Sequence, residues 1–280
     1  MQLMNEWAIM AANFIMFAIQ PRVREIARRS GDTFGLVVEV IRTGEEIVIN
    51  EDETFPAASI IKVPVLLEAF RQALEGRLSL DEQIVLREED EVGGMGVLKE
   101  LTAGLKLPFI DISTLMIIIS DNVAANVVIT KVGMKNANSF MKGLGLRKTL
   151  LQRKMMDFEA RKRGLDNYTS PRDMADLLHK LYAKTILNEW SCEKVLDIMK
   201  KQQVNDRIPR YLPEGIPVAH KTGELAGVRH DVGIVFAKEP FIISAMVKDL
   251  KDPLSQTFSG GKGTEAIARI SGMVFKAVNP

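Results

Sequence analysis

The sequence predicts an α/β (α+β) fold in which a five-stranded antiparallel sheet, flanked by terminal helices, stands beside an all-helical lobe. Three observations carry that expectation. Strand patterns occur only towards the two ends of the chain, helical periodicity fills the stretch between them, and the links between neighbouring strand candidates are short. Parallel strands need a crossover of about a dozen residues or more, so a link as tight as that in "FAKEPFII" (236–243) implies antiparallel pairing.

The first element is a mostly apolar run, "WAIMAANFIMFAI" (7–19). It is short for a membrane span, which takes about 20 residues. It also makes a poor export signal: Glu6 is the only charge before it, and "FAIQPRV" offers a weak cleavage site. A helix packed on the protein or on a partner is the expectation for residues 1–20, with an export signal and a membrane anchor as alternatives. "REIARRSGDTFGLVVEV" ends a helix at a Gly-Asp turn and opens a strand from about Thr33 to Val40. "RTG" then turns the chain into "EEIVIN", which completes a β-hairpin.

From about Ala57 to Tyr182 the apolar residues recur at helical spacing, in "VPVLLEAFRQALEG", "DISTLMIIIS", "VAANVVITKVG", "ANSFMKGLG" and "SPRDMADLLHKLYAK". After Asn188 one more helix leads to strand candidates near "IPVAHK", "HDVGIVFA" and "FIISAMVKD". The helix "GTEAIARISGMVFKAV" follows them. The organisation expected is an apolar N-terminal helix (1–20), a discontinuous α/β unit (21–56 with 186–280) and an all-α unit (57–185). Clefts between such lobes are favoured ligand sites.

A chain of 280 residues can bury a large core, and a composition 46% apolar and 26% charged is that of a soluble globular protein. A net charge of +1 gives neither nucleic acid nor an anionic membrane an electrostatic footing. The single cysteine, Cys192, excludes an internal disulfide, so no oxidising compartment is required. It sits in "EWSCEKVLDIM", an amphipathic helix pattern in which a thiol packs as a small hydrophobe. A cytoplasmic location is the first expectation, with exported and membrane-anchored forms behind it. His179, His220 and His230 form no ligand pattern and no cysteine cluster joins them, so no metal or other cofactor is expected. "GGMG" (93–96) lacks the strand-turn-helix context of a nucleotide loop.

Three short motifs hold the chemistry. In "PAASIIKVPVLLEAF" (56–70), Lys62 interrupts an apolar run. A helix beginning near Ser59 puts positions i and i+3 on one face, so the Lys62 amine can reach the Ser59 hydroxyl. The helix N-terminus also stabilises a developing alkoxide, and Pro64 is tolerated only in a first turn. Burial and cationic neighbours lower a lysine pKa towards useful base strength. The plainer reading is a helix cap followed by a snorkelling lysine. Ser120-Asp121-Asn122 stands between "LMIIIS" and "NVAANVVI", either as an inter-helix turn and cap or as part of a site. In "HKTGELAGVRHD", Lys221-Thr222-Gly223 ends a strand candidate, where glycine permits close approach and lysine can hold a carboxylate or polarise a serine. His220, beside Lys221, reads as a packing residue.

In this order, Ser-x-x-Lys, Ser-Asp-Asn and Lys-Thr-Gly are the signature of penicillin-recognising serine acyltransferases. The separations, about 60 and then about 100 residues, resemble those of class A β-lactamases. "TSPRDMADLL" is similar to the helix after that family's omega loop. The resemblance covers roughly residues 21–280 and implies a β-lactamase/transpeptidase-like fold with the motifs facing across a cleft. It implies Ser59 as nucleophile, Lys62 as its proton acceptor, Ser120 as relay to the leaving nitrogen, and Lys221 as a positive neighbour of Ser120. Asn122 would hold the substrate amide, and Lys221 with Thr222, next to Gly223, its carboxylate. The backbone N–H groups of Ser59 and Glu224 would form the oxyanion hole, where such donors are worth about 10²–10³ in rate. Arg229 resembles the arginine that some members place on the next strand for the same carboxylate, at a shorter distance from Gly223 here. Gly94 to Gly96 fall where the family has one cleft wall.

The departure lies in "LQRKMMDFEARKRGLDNYTSP" (151–171). The family's omega loop reads Arg-x-Glu-Pro-x-x-x-Asn, and its glutamate activates the water that hydrolyses the acyl-enzyme. Alignment on Arg153 puts Met155 at that position, and counting back from Pro171 puts Lys154 there; neither is a base at neutral pH. Asp157 and Glu159 are nearby carboxylates, and either serves as deacylation base if the loop path differs. Equally, Arg153 and Asp166 form the ion pair that closes the loop and leave both solvated. The resemblance therefore implies a serine hydrolase that acylates at Ser59 with β-lactams or related amides and esters and deacylates slowly. A D-alanyl peptidase or esterase of the same fold, and a sensor acylated without turnover, are the alternatives. The expected partner is a small-molecule substrate, and the expected assembly a monomer or homodimer.

Overall fold

A computed structural model of the chain describes residues 2–30, 33–257 and 260–280, with side chains from residue 15 onward. Helix α1 (Gln2–Arg29) runs to the hairpin of β1 (Thr33–Val40) and β2 (Glu45–Ile49). Strand β3 (Phe55–Pro56) and a 3₁₀ turn (Ala58–Ile61) lead into α2 (Lys62–Leu74). Strands β4 (Gln83–Val85) and β5 (Lys106–Pro108) precede α3 (Phe109–Ile118), α4 (Asn122–Val132) and α5 (Met134–Gly143). A loop holding α6 (Phe158–Lys162) and β6 (Tyr168–Thr169) connects to α7 (Pro171–Tyr182) and α8 (Glu189–Lys200). Strands β7 (Val218–Leu225), β8 (Val228–Val235) and β9 (Phe241–Lys248) are followed by α9 (Lys262–Val278).

The main sheet has the order β2-β1-β9-β8-β7 and is antiparallel at every pairing, as the short links imply. Both of its faces are covered. Leu36, Val38, Ile243, Ala245 and Val247 face a core completed by Val23 of α1 and by Ile267, Ile270 and Val274 of α9. Val37, Ile242 and Met246 belong to the core on the other side, shared with the helical lobe. Alternate residues of a strand point to opposite faces, so burial of both faces explains why these strands read as nearly continuous apolar runs.

The apolar run at 7–19 is continuous with the helix that ends at Arg29, and Pro21 lies inside it. Met16 and Val23 are buried on the body of the protein, whereas Phe17 is 70% exposed. No described helix is long and apolar enough to cross a membrane. The stretch read as helical also holds one short ladder and one strand of a second. Strand β3 pairs with β6 and β4 with β5, over two and three residues respectively, too few to show a period of two in sequence.

Helix α2 is the centre of the helical lobe. Every residue from Lys62 to Phe70 is buried, the burial expected of a helix apolar on all sides. Lys62 therefore has no path by which to snorkel to water.

Candidate active site

Ser59 sits on the 3₁₀ turn, and α2 begins at Lys62 rather than at the serine. The turn is fixed from both sides. The Ala57 N–H donates to Asn167 O at 2.7 Å, while Ile60 and Ile61 are fully buried. Ala58 has φ +46°, a left-handed conformation that a non-glycine residue keeps only when its surroundings impose it. Lys62 Nζ lies 2.7 Å from Ser120 O, 3.2 Å from Ser120 Oγ and 3.0 Å from Asn122 Oδ1. Burial, helped by the charge of Lys221 and opposed by Asp121, pushes its pKa well below that of a free lysine.

Ser120 also has a positive φ, +58°. Its neighbour Asp121 is the N-cap of α4, accepting from Ala124 N at 2.9 Å. The other oxygen of that carboxylate accepts from Val97 N (2.7 Å) and Leu98 N (2.9 Å). Asp121 is thus the cap of the inter-helix turn, and Ser120 and Asn122 on either side of it bond Lys62. Asn122 Nδ2 donates to Gly93 O at 3.2 Å. Glycine is required beside these groups. A Cβ on Gly96 (φ +117°) would fall 2.3 Å from the Asp121 carboxylate, and one on Gly94 (φ +82°) 2.6 Å from Asn122 Nδ2.

Across the cleft, Lys221 is fully buried on β7 and donates to Thr222 O at 2.9 Å. Burial lowers its pKa to about 7, against the pull of Asp231 and Glu224. Gly223 lets β7 pack on the serine turn, since a Cβ there would be 3.1 Å from Ile60 Cγ2 and 3.4 Å from Ala57 O. His220 is held by Asp231 (2.9 Å) and Asn205 (3.0 Å). His230 Nε2 donates to Pro56 O at 2.8 Å, and burial lowers its pKa to about 4, so it joins β8 to β3 as a neutral ring.

Arg229 is not where the resemblance implied. Its guanidinium donates to the carbonyls of Leu225 (3.0 Å), Val228 (2.7 Å), Leu254 (3.2 Å) and Thr257, and it does not line the cleft. Its register explains this, for it stands opposite Glu224 at the turn of the hairpin, too early along β8. Arg153 and Arg161 border the cleft from the loop side, and on the β7 side the fully buried Arg207 is paired with the cleft-lining Glu224. Nothing in "NDRIPRYL" marks that arginine in sequence, because its partner is brought up only by the fold.

The loop from 151 to 167 follows the alignment on Arg153. The Arg153 guanidinium lies 2.7 and 2.8 Å from Asp166, and side-chain amides hold the backbone. Asn138 exchanges two 2.8 Å bonds with Leu151. Asn167 Oδ1 accepts from Gln152 N (2.8 Å) and Arg153 N (3.1 Å). Asn126 exchanges bonds of 2.7 and 3.1 Å with Met155. Met155 is therefore delivered to the cleft, and Lys154 points to solvent. The two candidate bases are placed elsewhere. Asp157 caps α6 through Ala160 N at 2.8 Å, and the Glu159 side chain is 72% exposed beside Lys162. Neither lines the cleft.

Ser59, Gly94, Ser120, Asn122, Met155, Met156, Thr222 and Glu224 all border one cavity of about 240 Å³. A larger groove, about 660 Å³, lies between α1 and α9 and carries none of the three motifs. The cavity presents the hydroxyls of Ser59 and Ser120; the buried Lys62 amine, disposed to lose its proton, is bonded to Ser120, and Lys221 is buried next to the cleft-lining Thr222. That set suits transfer of an acyl group to Ser59.

A family model described as the beta-lactamase enzyme family matches residues 18–278. Beta-lactamase CARB-3 of Pseudomonas aeruginosa is 25% identical over 263 residues, covering 92% of this chain and 89% of its own length. The beta-lactamase of Sphaerobacter thermophilus DSM 20745 superposes with a TM-score of 0.85 at 33% identity, over 93% of this chain and 96% of that one. PBP-A superposes at 0.83 with 31% identity, over 93% and 96%. A PBP-A mutant, solved as an acyl-enzyme complex with penicillin G, gives 0.83 and 30% over 94% and 97%.

Proposed function

The chain belongs to the β-lactamase enzyme family and is a serine β-lactamase-like hydrolase; from that premise we propose that Ser59 is acylated by β-lactams or related amides and esters and releases the acyl group slowly. Ser59 Oγ bonds to the carbonyl carbon as its proton passes to Lys62 Nζ. The backbone N–H groups of Ser59 and Glu224 receive the oxyanion. On collapse the carbon–nitrogen bond breaks and the leaving nitrogen takes the proton of Ser120 Oγ. Lys62, 3.2 Å away, returns a proton to that oxygen and is neutral again. Net, one proton moves from Ser59 to the leaving nitrogen. Asn122 and Thr222 orient the substrate, and Lys221 supplies positive potential.

The observation that carries this reading is the bonding of the buried Lys62 to Ser120 and Asn122, which border the same cleft as Ser59. That a PBP-A mutant is held as its penicillin G acyl-enzyme supports the acylation half. Deacylation needs a base for water. Among the described residues lining the cleft, Met155 and Met156 are thioethers and the one carboxylate, Glu224, is paired with Arg207. Lys62 then serves both halves of the reaction. The same shortage favours a second reading, a peptidase or esterase whose acyl group passes readily to an amine or to water.

Reaction with a chromogenic cephalosporin, followed by absorbance and intact mass together, tests the proposal. The expected result is a single burst with a persistent adduct that is absent in Ser59→Ala. Steady turnover without a lasting adduct contradicts slow release. Neither adduct nor hydrolysis with lactams and simple esters contradicts the assignment of Ser59.

A further inference from the structure

The mechanism uses the backbone of Glu224 and leaves its side chain without a role. Alternation along β7 puts Thr222 and Glu224 on the same face. The Glu224 carboxylate is 9% exposed, and one of its oxygens is bonded by the fully buried Arg207 guanidinium. Its other oxygen is buried and has no hydrogen bond among the described residues, and Arg207 Nε lies 3.6 Å from Asp206 Oδ1. Arg207 is anchored through a 3.2 Å bond to His230 O. Arg229, the other guanidinium on this face, is engaged by four carbonyls. The guanidinium that would join Lys221 and Thr222 in a carboxylate subsite thus already faces two carboxylates, Glu224 and Asp206, and both belong to the protein. A ligand carboxylate set beside Thr222 meets a like charge. Taking Arg207 from Glu224 leaves a buried carboxylate unpaired, which is strongly unfavourable.

We propose that Glu224 determines specificity by occupying the anion site of Arg207, so that the cleft selects substrates whose group facing Thr222 is neutral or cationic (an ester, amide or amine) over those with a free carboxylate. The inference rests on acylation at Ser59. One β-lactam is offered as its free acid and as its methyl ester, and the rate of adduct formation at Ser59 is read by mass. The wild-type protein acylates faster with the ester. In E224Q, which keeps the side-chain size and a hydrogen bond to Arg207 but removes the charge, the acid-to-ester rate ratio rises about tenfold or more, the scale of one like charge a few ångströms away. In E224D the ratio stays within about twofold of wild type.

A wild-type protein that prefers the acid overturns the inference, and that result does not depend on how any variant folds. An unchanged ratio in E224Q also overturns it while leaving Ser59 acylation intact. Absence of any adduct with either ligand, in all three proteins, overturns the Ser59 reading and this inference with it.

Discussion

The two walls of the cleft are built in opposite ways. On the side of the serine turn, α2, α4 and β7, the cleft is backed by buried polar groups, and Lys62, Ser120 and Asn122 bond one another directly. On the loop side the cleft meets Met155, Met156 and Phe158. Arg153, Arg161 and Asn167 border the cleft beside them, and the contacts that shape this wall run through the amides of Asn126, Asn138 and Asn167 and the Arg153–Asp166 pair. In the proposed reaction the first wall takes the proton of Ser59. The second keeps a defined backbone path and delivers a thioether, Met155, to the cleft. The contrast teaches that the path of a loop and the chemistry of the residue it presents are set by different side chains.

The largest expected effect lies on the polar wall. Lys62→Met keeps the length and the burial of the side chain and removes the base. Acylation by a β-lactam should slow by about 10²–10⁴, the usual worth of a positioned base, as read from the rate of adduct formation. A change below tenfold would move the base elsewhere. On the loop wall, Asn126→Ala removes both bonds to the Met155 backbone. It should cost about 1–3 kcal/mol in denaturant unfolding and disturb the loop more than the serine turn.

The polar wall should also govern stability against pH. Lys221 titrates near 7 in the folded protein and at about 10.5 in the unfolded chain. Between those values the unfolded chain binds more protons, so stability rises with pH from about 7 to about 10.5 and that contribution is lost as pH falls through 7. Lys62 acts in the same direction. Denaturation at a series of pH values should show this rise, reduced in Lys221→Met. His230, lowered to about 4 from 6.5, withdraws stability as pH falls between those values. The smallest effect is expected at Glu159. Glu159→Gln should leave the lifetime of the acyl-enzyme within roughly twofold, because its carboxylate is solvated and paired with Lys162.

Much of this was legible in the sequence for physical reasons. Strands buried on both faces and helices with strong periodicity carry long signals, and the short links fixed the antiparallel sense. Lys62 stood out because a charge in an apolar run must be paired or neutralised. Other features had no local signal. The ladder of β3 and β6 is two residues long. The left-handed conformations of Ala58 and Ser120 come from the packing around them, since neither residue type favours positive φ. Arg207 acquires its role only when the turn at Ile208–Tyr211 lies against β7. Arg229 carried a plausible motif position and was drawn instead to four carbonyls at the hairpin end. Asp157 and Glu159 were candidates by proximity in sequence, and α6 turns one into a cap and the other outward.

In the proposed reaction the acyl-enzyme at Ser59 is long-lived because the loop presents Met155 to the cleft. The lifetime of the β-lactam adduct at Ser59, measured by intact mass in the wild-type protein and in Met155→Glu, tests it most directly. The clamped backbone of residue 155 should carry the new carboxylate into the cleft, and the lifetime should fall by about 10² or more. Equal lifetimes in the two proteins, or a wild-type adduct too brief to detect, would contradict it.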